Sequence, residues 1–305
     1  MDTGNLRPNP ARELALLLLL ATLWGASYTF IKLGVATIAP ITLIAARTAI
    51  AGLLLLVIMR WRGVMMPRDA ATWRRFLLQA CLNSVIPWTL LAWGERSVDA
   101  GLATILNSAS PIFTFLLTAA VTRHESASPR KLFGVVAGMA GICLIIGIGA
   151  FDAIGVGLVA ELAIVAAAIC YACAAIFGRS FKGLDPMAPA AGSLLAGAAF
   201  LIPASLVMER PWTMAPSAVS VMALIALAVV STALAFVIYF RLIQTLGSVG
   251  TTAQAYLRVP IGVAIGVAVL GERLSPTAWI GLACVVAGVA AMTMPARTKA
   301  VLKAP

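Results

Sequence analysis

Long apolar stretches, separated by short polar turns, cover almost the whole chain. A helix needs about 20 residues to cross a bilayer core roughly 30 Å thick. Division of the sequence at Pro, Gly and charged clusters predicts ten such helices, at approximately 14–33, 40–59, 76–94, 99–121, 131–149, 155–178, 187–207, 217–240, 248–270 and 276–294. The pattern therefore predicts an all-α integral membrane protein with ten transmembrane helices and little chain outside the bilayer.

Composition supports a membrane protein and excludes several other classes. Of the 305 residues, 62% are hydrophobic, and the mean hydropathy is +1.02, well above the range of soluble domains. The sequence has no basic tail with interleaved aromatics, so nucleic acid is not an expected partner. The five cysteines all lie within apolar stretches, which argues against a disulfide framework.

Lysines and arginines indicate the orientation of the predicted helices. With the N-terminus in the cytoplasm, sixteen of them fall in inside segments, four fall outside, and only Arg47 and Arg258 lie within predicted spans. Short cytoplasmic loops carry such an excess of basic residues. We therefore expect both termini in the cytoplasm, in a multi-pass protein of the bacterial inner membrane.

A polar stripe stands out in the ninth predicted span. Thr251, Gln254 and Arg258 lie three and seven positions apart, which places them on one side of a helix. An arginine at the centre of a span costs roughly 2.5–3.5 kcal/mol on insertion scales, so it indicates a function in a polar cavity. Subtraction of 147 from these numbers gives a second polar stripe in the fourth span: Thr104, Asn107 and Pro111.

Rare residues show that this shift of 147 applies to the whole chain. Glu125, Pro129, Gly134 and Gly141 correspond to Glu272, Pro276, Gly281 and Gly288, with the same spacing. We interpret residues 1–147 and 148–305 as two five-helix repeats. Because five is odd, the second repeat enters the membrane from the opposite side. Inverted repeats are typical of secondary transporters, whose substrate site lies at the repeat interface near the midplane.

The same residues carry a family resemblance. The motifs are Trp24-Gly25-Ala26-Ser27-Tyr28 in the first span and Gly271-Glu272-Arg273-Leu274-Ser275-Pro276 before the tenth. The chain resembles the EamA-type units of the drug/metabolite transporter superfamily over residues 14–294, and within that group the YddG-type exporters of aromatic amino acids and methionine. The resemblance implies a basket in which helices 1–4 and 6–9 surround a central cavity and helices 5 and 10 lie outside it.

Two features depart from the family pattern. The interval from Pro to Glu is 14 residues in the first repeat and 12 in the second. Many members also carry an acidic residue directly before the second Pro, where this chain has Arg258 and Val259. The reversed charge prevents a simple transfer of those members' coupling scheme.

Polar and aromatic residues within the spans are the candidate substrate-binding groups. They are Trp24, Tyr28, Asn83, Trp88, Asn107, Ser110, Tyr171, Tyr239, Gln254, Tyr256 and Arg258. Arg258 offers a planar fork that matches a carboxylate, and the aromatic residues suit a large apolar side chain. The alternatives are a structural ion pair for Arg258, helix–helix bonding for the small polar residues, and the interfacial belt for Tyr239.

A second set of residues is assigned to coupling or gating. It comprises Glu161, Arg47, Pro87, Pro111 and Pro260. Glu161 is a candidate proton relay, or alternatively a hydrated group at the cavity mouth. Arg47 could instead snorkel to the interface. The three prolines interrupt spans and serve either as hinges or as fixed kinks.

Together these observations predict a monomeric secondary transporter, with the lipid bilayer and a small molecule as its partners and no cofactor or metal. Export of aromatic or large apolar amino acids is the first hypothesis, by alternating access. The alternatives are export of other metabolites or drug-like cations, a channel, or an intramembrane enzyme. An enzyme is disfavoured because the single histidine, His124, lies in a predicted loop.

Overall fold

The computed structural model describes residues 10–122, 129–146, 156–181, 183–239, 241–242, 245 and 254–293. These residues form helices and connecting turns, without a strand. The helices are α1 (Pro10–Gly34), α2 (Pro40–Trp61), α3 (Ala70–Gly94), α4a (Ala100–Asn107), α4b (Ser110–Thr122), α5 (Pro129–Ile146), α6 (Val156–Gly178), α7 (Met187–Met208), α8 (Ala218–Tyr239), α9 (Gln254–Leu270) and α10 (Pro276–Thr293).

The lengths of these helices agree with a membrane protein. Among the described residues, seven helical stretches are long and apolar enough to cross a bilayer, and three shorter apolar ones lie at Leu132–Leu144, Leu257–Leu270 and Pro276–Gly288. Many large apolar side chains on the outside are exposed, as lipid contact requires. An all-helical membrane protein is thus confirmed, whereas the number of spans, their inverted relation and their orientation stay predictions.

The three prolines that were predicted to interrupt helices have different positions within their helices. The fourth span breaks at Ser108 and Ala109, so Pro111 stands in the first turn of α4b, where its missing N–H leaves no bond unmade. Pro87 follows a π-helical turn at Cys81–Val85. The expectation that Pro260 interrupts its helix is wrong, because α9 continues through it, with Pro260 exposed on the outside.

A second π-turn was not predicted, because α8 contains no proline there. It spans Val229–Leu234, and Thr232 donates from its hydroxyl to the Leu227 carbonyl at 2.7 Å. Such turns widen a helix locally and expose backbone groups, often at functional sites. A shift of 147 moves the first π-turn, Cys81–Val85, onto residues 228–232, which overlap the second π-turn.

Helices α5 and α10 pack closely through glycines. A Cβ on Gly141 would lie 2.7 Å from the Gly281 carbonyl oxygen, and one on Gly288 would lie 2.6 Å from that of Gly134. The shift of 147 relates Gly134 to Gly281 and Gly141 to Gly288. The contact of Gly141 with Gly281 and that of Gly288 with Gly134 are therefore equivalent in the two repeats. The small residues therefore serve packing within the chain.

Hydrogen bonds define two ends of the bundle. At end A, which contains the turns 35–39, 95–99, 209–217 and 271–275, Glu209 and Glu272 accept from backbone amides of α2 and α4a. End B contains the start of α1, the turn 62–69 and residues 179–181 and 183–186, with Glu13 paired to Arg241 at 3.2 Å. The predicted orientation places end B at the cytoplasm.

Candidate functional site

A cavity of about 930 Å³ lies between the helices. Its lining comes from α1–α4b and α6–α9, and none of the described residues of α5 and α10 contributes. Near end B the lining includes Phe181, Gly183, Leu184 and Pro186, which belong to the turn between α6 and α7. The cavity therefore extends from the centre of the bundle towards end B, while end A is held by the carboxylate contacts.

The structure brings most of the predicted binding residues together in this cavity. The lining residues among them are Trp24, Tyr28, Asn83, Trp88, Asn107, Ser110, Tyr171, Tyr239, Gln254 and Arg258. The side chain of Tyr256 lies outside the described residues, as does Thr251. Of the coupling candidates, only Arg47 lines the cavity. Glu161 is half-buried on α6 and, like Pro87, Pro111 and Pro260, is absent from the lining.

Arg258 supplies a cation with an unused donor. Its Nε is buried and has no hydrogen-bond partner among the described residues. The backbone around it is fixed by a close approach of α1 and α9, in which a Cβ on Gly25 would lie 3.1 Å from the Arg258 carbonyl oxygen. This is tighter than most Cβ contacts, so a larger residue here would require α1 and α9 to shift. Among the described residues no carboxylate forms an ion pair with Arg258, so that part of the chain gives no support to the ion-pair alternative.

Unused acceptors lie in the same cavity. The Asn107 amide nitrogen donates to the Tyr28 hydroxyl at 2.6 Å, which leaves Asn107 Oδ1 without a partner among the described residues. Gln254 Oε1 and Ser231 Oγ are likewise buried and unpaired in that part of the chain. Buried polar groups normally find partners, so unpaired ones in a cavity point to a ligand or water that supplies the bonds.

Arg47 is buried rather than interfacial. Its side chain is 5% exposed, its Cζ lies 3.6 Å from the centroid of the Trp88 ring, and its Nε donates to Thr232 Oγ1 at 3.0 Å. The snorkelling interpretation is therefore wrong. Cation–π stacking and the hydroxyl of the α8 π-turn hold the guanidinium against the cavity.

An aromatic cluster forms the apolar part of the lining. The ring centroids of Trp24 and Tyr239 lie 5.4 Å apart, and those of Trp24 and Phe236 lie 6.3 Å apart. These distances and the tilted or edge-on angles are typical of favourable aromatic pairs. Tyr239 thus belongs to the cavity and not to an interfacial belt.

The sequence did not predict the burial of three carboxylates. Glu13, Glu95 and Glu272 are 2%, 0% and 9% exposed, although each lies near a helix end, where charges usually reach water. Glu272 accepts from the Ala100 and Gly101 amides at 2.7 and 2.8 Å. Neither oxygen of Glu95 has a hydrogen-bond partner among the described residues. Only the tertiary packing shows these environments.

Comparison with known proteins identifies the family. A model described as the EamA-like transporter family matches the chain twice, over residues 11–147 and 158–294. The protein therefore belongs to the EamA-like transporter family. It is a membrane transporter and not an enzyme.

Curated relatives are also transporters. The chain is 26% identical over 274 residues to the uncharacterized inner membrane transporter YedA of Escherichia coli K12, covering 89% of this chain and 87% of YedA. It is 27% identical over 275 residues to a probable terminal-alkyne amino-acid exporter of Streptantibioticus cattleyicolor, covering 90% of each. A protein crystal structure, 19% identical, has a TM-score of 0.64 over 92% of this chain and 97% of its own, which shows the fold. The resemblance to the YddG type stays a prediction.

Proposed function

We propose that this EamA-like transporter is a secondary carrier for amino acids with aromatic or large apolar side chains, methionine included. In this proposal the carrier moves them out across the inner membrane by alternating access. The names of two relatives support the location and the substrate class: one is an inner membrane transporter and the other a probable amino-acid exporter.

The observation that carries the proposal is the set of unpaired groups in the cavity. Arg258 Nε is a charged donor, while Asn107 Oδ1 and Gln254 Oε1 are acceptors. An α-carboxylate is matched by the guanidinium, and an ammonium group needs acceptors such as amide oxygens. Beside them, Trp24, Phe236 and Tyr239 offer aromatic surface to an apolar side chain.

The charge of the cavity argues against the alternative of drug-like cations. The charged side chains that line it are Arg47 and Arg258, and none of the described lining residues is a carboxylate. A cation would enter against two guanidiniums without an opposite charge to bind it. A zwitterion brings its own carboxylate, so it fits this cavity better.

Two inverted repeats, at residues 1–147 and 148–305, form part of the proposal. The two separate family matches support it, as do the overlapping π-turns and the reciprocal glycine contact between α5 and α10. Related halves of opposite orientation provide two access states of similar energy, as alternating access requires. We expect the present state, closed at end A, to face the cytoplasm.

Uptake of labelled phenylalanine and methionine into proteoliposomes tests the function. We expect saturable uptake that unlabelled analogues inhibit. A hydrogen bond to a charged group is worth about 1.5–3 kcal/mol, so Arg258→Ala should weaken substrate affinity by roughly 10- to 150-fold. Arg258→Gln tests the charge with less loss of volume. Arg273→Ala, at an exposed arginine of end A, is the matched control.

The outcomes separate the hypotheses. Uptake without saturation or competition would indicate a channel. Wild-type affinity in a folded Arg258→Ala protein would remove Arg258 from recognition. Absence of uptake over empty liposomes for both amino acids would direct the search to the other metabolites that this family could carry.

A further inference from the structure

We propose that the cavity also binds N-acylated amino acids with large apolar side chains, and that Arg47 recognises the acyl carbonyl group that distinguishes them from free amino acids. The proposal rests on the proposed function in placing the substrate in this cavity with its carboxylate at Arg258. It adds a class of substrate with a net negative charge. It also gives a binding role to Arg47, for which the sequence suggested coupling or gating.

The guanidinium of Arg47 has donors that the protein leaves unused. Its Nε donates to Thr232 Oγ1 at 3.0 Å, and its Cζ lies 3.6 Å from the centroid of the Trp88 ring, so one edge and one face are occupied. Nη1 and Nη2 make no hydrogen bond to any described residue. The side chain is only 5% exposed, yet it lines the cavity. Buried donors need acceptors, and a ligand in the cavity can supply them.

The positive charge of the cavity favours an anionic ligand. Arg47 and Arg258 line it, and none of the described lining residues is a carboxylate. The ion pair that the described residues form, Glu13 with Arg241, lies at end B. A zwitterion leaves the two guanidinium charges uncompensated and adds an ammonium group near them. N-acylation removes the ammonium charge, so the ligand reduces the net charge of the site.

Contacts along one turn of α1 place the Arg258 subsite next to an unused acceptor. A Cβ on Gly25 would lie 3.1 Å from the Arg258 carbonyl oxygen, and Tyr28 accepts from the Asn107 amide nitrogen at 2.6 Å. Three residues of helix separate Gly25 from Tyr28, which is roughly 4.5 Å along the axis. Asn107 Oδ1 has no partner among the described residues. A ligand N–H beside a bound carboxylate is therefore within reach of this oxygen.

The Arg47 donors lie next to the aromatic cluster of the cavity. Thr232, the partner of Arg47, precedes Phe236 by four positions on α8, which is one helical turn. Phe236 packs edge-on against Trp24, with ring centroids 6.3 Å apart. Trp24 is in turn the residue before Gly25 on α1. A ligand with its side chain on this cluster can thus present one polar group to Arg258 and another to Arg47.

An N-acylated amino acid supplies a partner for each unused group. Its carboxylate suits Arg258, its amide N–H donates to Asn107 Oδ1, and its acyl oxygen accepts from the Nη atoms of Arg47. A free amino acid has no acceptor left for Arg47 once its carboxylate is bound. The cavity volume of about 930 Å³ is near the upper end of the range for drug-sized ligands, so it has room for the acyl group.

The test measures the Kd of three ligands by isothermal titration calorimetry on the purified full-length transporter near neutral pH. The ligands are phenylalanine, N-acetylphenylalanine and 3-phenylpropanoate. N-acetylphenylalanine should bind more tightly than phenylalanine by roughly 10- to 150-fold, which corresponds to one hydrogen bond to a charged donor. 3-Phenylpropanoate has the carboxylate and the ring without the amide, so it should bind more weakly than N-acetylphenylalanine. This comparison separates recognition of the acyl amide from attraction of any anion.

Variants assign the preference to Arg47. Arg47→Met keeps most of the volume and removes every donor, so it should reduce the advantage of N-acetylphenylalanine over phenylalanine to about onefold. Thr232→Val removes the hydroxyl that orients Arg47 and should lower the same ratio of affinities. Arg258→Ala should weaken both ligands and leave their ratio unchanged, since both carry the carboxylate. Arg273→Ala, at the exposed arginine of end A, should retain the wild-type affinities.

The outcomes distinguish this inference from the proposed function. If phenylalanine binds and N-acetylphenylalanine binds no more tightly than 3-phenylpropanoate, the inference is overturned while the amino-acid carrier stands. A wild-type ratio in a folded Arg47→Met protein also overturns the role of Arg47. Binding of N-acetylphenylalanine without binding of phenylalanine or methionine supports the inference and refutes free amino acids as substrates. Absence of binding for all of these ligands refutes both. The comparison of ligands on the wild type needs no variant, so a misfolded Arg47→Met protein does not prevent the test.

Discussion

Replacement of Glu272 by glutamine perturbs the closure of end A at a defined point. The carboxylate accepts from the Ala100 amide at 2.7 Å and the Gly101 amide at 2.8 Å, at the N-terminus of α4a. Glutamine keeps one acceptor oxygen, so one of these bonds is lost together with the negative charge. The contact joins the turn before α10 to the start of α4a, and we expect it to break when end A opens.

The free energy that this substitution should cost at end A follows from these contacts. A hydrogen bond to a charged group contributes about 1.5–3 kcal/mol, and a negative charge at a helix N-terminus about 0.3–1 kcal/mol. The side chain is 9% exposed, so solvent screens little of this. We expect Glu272→Gln to destabilise the closed end by about 2–4 kcal/mol, which is more than tenfold in the population of states open at end A.

Thiol labelling measures that population directly. Val98 is 4% exposed at end A, so Val98→Cys in a background without the five native cysteines reports opening to a membrane-impermeant maleimide. Labelling should accelerate at least about tenfold when Glu272→Gln is added. Glu161→Gln in the same background is the control. Unchanged labelling, with an unchanged melting temperature, would show that the carboxylate does not hold end A closed.

Two further predictions concern packing and the opposite end. Gly262→Ala should lower stability by about 1–3 kcal/mol in thermal melts, because its Cβ would lie 2.8 Å from Thr104 Cγ2; Gly157→Ala, in open space, should be near neutral. Glu13→Gln should cost about 1–2 kcal/mol, since its oxygens accept from the half-exposed Arg241 at 3.2 Å and from Thr245 at 2.7 Å. An unchanged melt for either variant would contradict the contact concerned.

Sequence reasoning was effective where a residue type conflicts with its surroundings. An arginine within an apolar stretch has few tolerable environments, so Arg258 could be assigned to a polar cavity from the amino-acid pattern alone. Helical spacing then added Gln254 on the same side, and the shift of 147 drew attention to Asn107. The structure gathers all three around one cavity, and their role in binding stays a prediction.

The same reasoning failed where burial depends on distant packing. Glu95 looks like an ordinary charged residue of a turn, and only the helices around it exclude water. Arg47 lies close enough to a helix end to reach the interface, yet Trp88 and Thr232 draw it inward. The π-turn in α8 contains no proline, so no local signal distinguishes it from a regular helix. These features depend on contacts between residues far apart in sequence.

The contacts within the bundle also differ in what opening would cost. At end A, Glu209 and Glu272 cap helix N-termini, and Ser220 donates to the Leu33 carbonyl at 2.7 Å. Water can replace each of these bonds once the end separates, so their net contribution is small compared with their gross strength. Between α5 and α10, by contrast, Gly141 and Gly288 allow the two backbones to touch, and separation would lose these close van der Waals contacts. We therefore predict that end A is the part that opens during the proposed alternating access, while α5 and α10 remain paired.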